Sequence, residues 1–180
     1  VRSLNILRSI VLAIGAAYLI FSQDHSSSVG IRVLQFVSFA LVVGSLVMLR
    51  LPKLKLAFKE IAMPTAIAFV VGAMTVIFSE QFAGAATDEL VVLRSLVSLF
   101  VLAMAVLEFS LSRKANPEDV LELRISAAIG MLAGIVFCFA PLDDLNAVGF
   151  FSAYLAISSV QRAIWAAGPS NGKKSGNGKN

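Results

Sequence analysis

Charge is scarce in this sequence: charged residues fill 14% of its 180 positions, against about 25% in an ordinary soluble domain. A water-soluble fold of this length exposes a large share of its surface and needs charge to cover it, so the shortage argues against one. Histidine and cysteine occur once each. Cys138 can form no internal disulfide, and Cys138 with His25 is too small a set to hold a metal. A Ser–His–Asp arrangement would have to be built on His25, which lies in the polar stretch DHSSS. No glycine-rich loop follows a strand-like segment, so no phosphate cradle is expected. The net charge is +4, yet the basic residues fall between apolar runs and on the C-terminal tail rather than among exposed aromatics. Nucleic acid is therefore not an expected partner, and no catalytic group, cofactor or metal site is read from the sequence.

What the chain has instead is apolar length. Hydrophobic residues make up 58% of it, gathered into six runs: Leu4–Ser22, Val29–Leu49, Ile61–Ser79, Leu90–Leu111, Ile125–Leu142 and Leu145–Ala166. Each is near the roughly 20 residues a helix needs to cross the hydrocarbon of a bilayer. The expected fold is all-α, a polytopic membrane bundle of six transmembrane helices arranged as three tandem hairpins, near 4–50, 61–112 and 125–167. Asn5 and Arg8 interrupt the first run, and Arg8 is close enough to its end to snorkel to the headgroups. With Arg2 and Arg8 before an apolar stretch, this run resembles a signal peptide, but no small-x-small cleavage site follows Phe21. Pro64 is expected in the first turn of the third helix, where a missing N–H costs little, and Pro141 is expected to close the fifth. Cys138, inside an apolar run, is read as a small buried residue.

The connections alternate in charge. SQDHSSSVG, SEQFAGAATDE and PLDDLN are acidic or neutral, whereas RLPKLKLAFKE and SRKANPEDVLELR carry lysines and arginines. Arg2, Arg8, Arg50, Lys53, Lys55, Lys59, Arg113, Lys114, Arg124 and Arg162 then fall on one side with Lys173, Lys174 and Lys179 of the tail. Asp24, Glu80, Asp88, Glu89, Asp143 and Asp144 fall on the other. The positive-inside rule places the basic side, with both termini, in the cytoplasm. Residues 168–180, GPSNGKKSGNGKN, are expected to be a disordered cytoplasmic tail.

Three segments read alike: GAAYLIFS from Gly15, GAMTVIFS from Gly72 and GIVFCFAP from Gly134. They recur at intervals of about 60 residues, the length of one hairpin, which suggests a tandem repeat in which every hairpin keeps one orientation. Helices in lipid associate through small residues that let backbones approach. Gly15, Gly44, Gly72, Gly130 and Gly134 are the packing candidates, with Gly130 and Gly134 forming a GxxxG. They could serve packing within one chain or self-association into a homo-oligomer; membrane lipids are the other expected partners.

Few polar residues interrupt the runs. Glu108 and Arg162 lie near the inner ends of the fourth and sixth helices, where they could act as interface anchors beside Trp165 or as an ion pair between helices. Arg32 and Arg94 open even-numbered helices on the acidic side, against the charge rule; they read either as lipid-phosphate anchors and surface ion pairs or as a ring receiving an anion. His25 is a solvated loop residue or a pH sensor.

With six helices in three hairpins, and segments ending in IFS, IFS and FAP, the chain resembles the HdeD-like family of small bacterial membrane proteins over nearly its whole length outside the tail. The family's hairpins read glycine, an apolar stretch and a turn proline, then a helix with a central glycine. Gly15, Gly72 and Gly134 match the first part and Gly44 the last. The turn proline is kept only as Pro141, with Ser22 and Ser79 at the other two turns. The resemblance implies an integral protein of the bacterial cytoplasmic membrane. Some members are linked to acid resistance, and no reaction or catalytic residue comes with the family. The leading expectation is a non-enzymatic membrane protein with a stress-related or interaction role; the alternative is a small transporter or channel.

Overall fold

The computed structural model describes residues 2–50, 58–81, 86–113, 115 and 117–167. They form six helices: α1 (Arg2–Phe21), α2 (Ser27–Leu49), α3 (Phe58–Gln81), α4 (Ala86–Ser112), α5 (Pro117–Phe139) and α6 (Asp144–Ala167). All six are long and apolar enough to cross a membrane. Apolar side chains also cover the outside: Phe21, Leu132, Phe139 and Ile164 are each at least two-thirds exposed. Facing water, each would forgo about 1.5–3 kcal/mol of burial, whereas facing acyl chains it forgoes nothing. The fold is a transmembrane bundle.

The helices alternate in direction and close into a ring, each packed against its two sequence neighbours, with α6 returning to α1. Inside the ring α2, α4 and α6 touch one another, while no two odd-numbered helices meet among the described residues. The most extensive contacts are α6 with α1, α2 with α3, and α4 with α5. Each hairpin is thus held more firmly to its neighbours than its own two helices are to each other. The centre is dry: Leu34, Val37, Val97, Val101, Phe151 and Leu155 are completely buried.

All five glycines singled out above lie where a neighbouring helix comes close. A methyl group added at Gly15 would come within 2.8 Å of Val37 on α2, and one at Gly72 within 3.2 Å of Ser38 on α2. At Gly44 it would strike Leu7 of α1, and at Gly134 Leu102 of α4. At Gly130 it would stand 3.0 Å from Ala105 and 3.4 Å from the Val101 carbonyl oxygen. Hydroxyls add to this packing. Ser9 of α1 and Ser159 of α6 each donate to the other's backbone carbonyl, both at 2.9 Å.

Three expectations are corrected. Helix α3 begins at Phe58 rather than Ile61, so Pro64 lies inside the helix in its second turn. There it removes a ladder hydrogen bond to the Glu60 carbonyl. Helix α5 begins at Pro117 rather than Ile125. PEDVLELR is too charged to read as part of a span, but Pro at the first helical position followed by acidic residues is a strong helix start. Cys138 is exposed rather than buried, because the last turn of α5 points it away from the ring's centre, beside the Ser98 hydroxyl at 2.8 Å. The tail from residue 168 and the connection carrying Lys53 and Lys55 lie outside the described residues.

Candidate functional site

At the basic end of the bundle, where Arg50, Arg113 and Arg124 lie, polar side chains from different helices converge. Glu108 stands one turn from the end of α4, and Arg162 a little over one turn from the end of α6. At a rise of about 1.5 Å per residue, both lie roughly 6–8 Å inside the bundle. The structure joins them as an ion pair, Arg162 Nη2 donating to Glu108 Oε1. They are 8% and 7% exposed, so the anchor reading gives way to the ion pair. An isolated charge at such a position is expensive, whereas two opposite charges in contact offset much of that cost.

A cavity of about 220 Å³ lies against this pair, enclosed by α1, α3, α4, α5 and α6. Its polar wall consists of Asn5, Arg8, Glu108, Asp119 and Arg162; leucines, Met104, Pro64 and Trp165 form most of the rest. A smaller cavity of about 20 Å³ shares Arg8, Pro64, Met104 and Arg162 with it and reaches Tyr154 and Ser45, with room for about one water molecule. Asn5 is only 3% exposed. A mostly apolar hollow with a few convergent polar groups has the general character of a small-molecule site.

Sequence reasoning misses Asn5, Asp119 and the second role of Arg8. Asn5 and Arg8 are visible as interruptions of one apolar run, and their spacing of three puts them on one helix face. That pattern is the available signal that both point inward to a shared space. Asp119 is hidden by the late start that hydropathy gives α5. Trp165, read as a headgroup-level anchor, is half-buried in the cavity wall.

The acidic end is organised differently. Arg94 reaches across to the end of α5, donating from Nε to the Phe137 carbonyl at 3.2 Å and from Nη2 to the Ala140 carbonyl at 2.7 Å. It therefore adds donors at the end of α5, where the Phe137 carbonyl faces Pro141, a residue without an N–H, and it meets the negative end of that helix's dipole. Arg32 is exposed on α2, so the two arginines share no described cavity. His25 is half-buried in the α1–α2 connection. Asp24 and Asp143 act as turn and cap elements, accepting from the Ser26 N–H at 2.9 Å and the Asn146 N–H at 2.8 Å, whereas Asp144 of α6 accepts from the Ser27 hydroxyl of α2. Replacing Arg94 by leucine is expected to cost about 1.5–3 kcal/mol, the worth of hydrogen bonds to a charged group. Thermal unfolding in detergent would measure it. Arg94→Lys should recover only part, because an ammonium cannot fork across two carbonyls as a guanidinium does. A leucine variant that unfolds with the parent would refute the cap.

No family model, curated protein or solved structure matches the chain.

Proposed function

We propose that the protein is a non-enzymatic integral protein of a bacterial cytoplasmic membrane, of the HdeD-like kind, with a stress-related role. It acts by binding at the cytoplasmic face of its bundle rather than by conducting solute. The observation that carries this reading is the separation of polar and apolar space along the bundle axis. The cavity and its charges occupy the basic end, and completely buried apolar side chains of α2, α4 and α6 fill the centre beyond it. Continuous aqueous conduction needs polar groups or a wetted path along the whole length. The positive-inside rule favours the cytoplasm for the basic end. The contacts α6–α1, α2–α3 and α4–α5 occupy corresponding places in the ring, as they would in a tandem hairpin repeat.

The cavity wall argues against catalysis as well as for binding. Its carboxylate nearest the centre, Glu108, is committed to Arg162. Among the described residues, the walls of the larger cavity carry no serine, cysteine, histidine or lysine that such a base could activate.

A transporter caught open to one side is the second reading, favoured by a cavity at one end and a closed centre. Proteoliposomes containing the purified protein, with and without an imposed pH gradient, separate the two. Proton and small-ion flux is expected to equal that of empty liposomes; flux above that background would overturn the non-conducting reading.

A further inference from the structure

We infer that an outward-facing groove between α4 and α5, at the basic end, binds an anionic phospholipid, with the phosphate between Arg113 and Arg124 and an acyl chain over Ala127 and Ala128. This goes beyond the binding reading above and does not depend on it. The groove is open, with a volume of about 520 Å³, and is lined by Phe109 of α4 and by Arg124, Ala127, Ala128 and Met131 of α5. The four α5 residues recur at helical spacing, which sets them on one face. Ala127 and Ala128 carry only methyl groups and make a low floor. Phe109 and Met131, both more than one-third exposed, stand as its walls. Any outer face of a membrane bundle meets acyl chains, but a hollow between bulkier side chains can hold one in place.

The charges say which lipid. Arg124 directly precedes Ile125, where the apolar run of α5 begins, so it stands at the boundary between headgroups and hydrocarbon. Arg113 lies just past the end of α4. The close approach of Gly130 to Ala105 sets the register of these two antiparallel helices. Counting from there toward the basic end places Arg124 level with Leu111, within about 3 Å of Arg113 along the axis. Arg113 stacks on Phe109, its guanidinium carbon 5.2 Å from the ring centroid. Stacking occupies the flat face of a guanidinium and leaves its N–H edge for a phosphate.

Neither arginine has an ion-pair partner among the described residues. Glu122 and Asp119 of α5 do not supply one, because they lie about 160° and 140° round the helix from Arg124, and Asp119 lines the interior cavity. Two guanidiniums at the head of an apolar groove suit a ligand with a net negative charge and an apolar tail, whereas a zwitterionic headgroup brings its own cation to the same place. The positive-inside rule favours the cytoplasmic leaflet for this end, and anionic lipids of that leaflet attract basic clusters. A second copy of the chain fits less well, since an isologous contact through this face would bring the arginines of both copies together.

The test is native mass spectrometry of the full chain in neutral detergent, titrated with phosphatidylglycerol and, separately, with phosphatidylcholine of the same acyl chains. Phosphatidylglycerol is expected to bind at least about tenfold tighter, the worth of one charge-assisted hydrogen bond. Arg113→Gln combined with Arg124→Gln should bring the two lipids within about twofold of each other. Arg50→Gln removes an exposed arginine at the end of α2, away from the groove, and should leave the preference intact. Ala128→Phe keeps both charges, fills the groove and should weaken phosphatidylglycerol about tenfold. All the substituted side chains are exposed, and thermal unfolding checks that each variant is folded. Equal affinity for the two lipids, a loss in Arg50→Gln as large as in the double variant, or full binding by Ala128→Phe would overturn the site. So would displacement of the lipid by glycerol phosphate, or a dimer that Ala128→Phe abolishes, since these assign the groove to a soluble anion or to a second copy.

Discussion

Replacing Glu108 by arginine is expected to destabilise the bundle by about 3–5 kcal/mol, the typical cost of leaving one member of a buried ion pair without its partner. The pair is enclosed: Arg162 Nη2 meets Glu108 Oε1 with both residues over nine-tenths buried. In Glu108→Arg two guanidiniums would face each other there, and in Arg162→Glu two carboxylates. Each single variant should express poorly and unfold at a markedly lower temperature in detergent. The double exchange, Glu108→Arg with Arg162→Glu, restores opposite charges and should recover much of the loss. The apolar double variant, Glu108→Leu with Arg162→Leu, should also lie close to the parent, because exchanging a whole buried pair for packed hydrocarbon is often neutral. If both double variants are no more stable than the singles, the two residues matter separately and the pair is not what holds α4 to α6.

Gly130→Leu is expected to cost about 1–3 kcal/mol, and more if α4 cannot shift. A methyl group at this position already stands 3.0 Å from Ala105 and 3.4 Å from the Val101 carbonyl oxygen. The first neighbour is a side chain of minimum size and the second is backbone, so neither can rotate out of the way. Gly130→Ala is the informative contrast. Alanine gains about 1 kcal/mol over glycine in a helix, which roughly offsets the tight contact, and its unfolding temperature should stay near that of the parent. Gly134 differs because the obstacle is the Leu102 side chain, which can change rotamer. Both Cγ and Cδ2 of Leu102 would be struck, so the whole side chain must swing, and Gly134→Ala should cost more than Gly130→Ala. Thermal unfolding in detergent checks all three, and a Gly130→Leu protein as stable as the parent would remove the α4–α5 packing argument.

Much of this architecture is legible in the sequence, and for one reason. In a bilayer, backbone polar groups must be satisfied within the segment, so a run of about 20 apolar residues has one stable conformation. The six runs therefore become six helices with boundaries close to those read from hydropathy. Where hydropathy misleads, charge is the cause. PEDVLELR reads as a loop because hydropathy detects the membrane and not the helix, and α5 runs through it from Pro117. Pro64 reads as a first-turn residue for the same reason, since Lys59 and Glu60 seem to lie outside the helix that in fact contains them.

The site is less legible because its members come from helices far apart in sequence. Glu108 and Arg162 can be named as polar residues near the same side, yet hydropathy does not say which faces of α4 and α6 meet. Asn5 and Arg8 stand out only as defects in an apolar run. Their common role depends on α6 closing the ring against α1, a contact between the two ends of the chain that no local pattern encodes. The sequence alone determined that the chain makes six membrane helices with a basic and an acidic side, because hydrocarbon length and charge cost are properties of each segment taken singly. The tertiary structure alone decided that Glu108 meets Arg162, that Arg94 caps α5 and that a polar hollow opens at one end of a dry core, because these depend on how the faces of separate helices are turned toward one another.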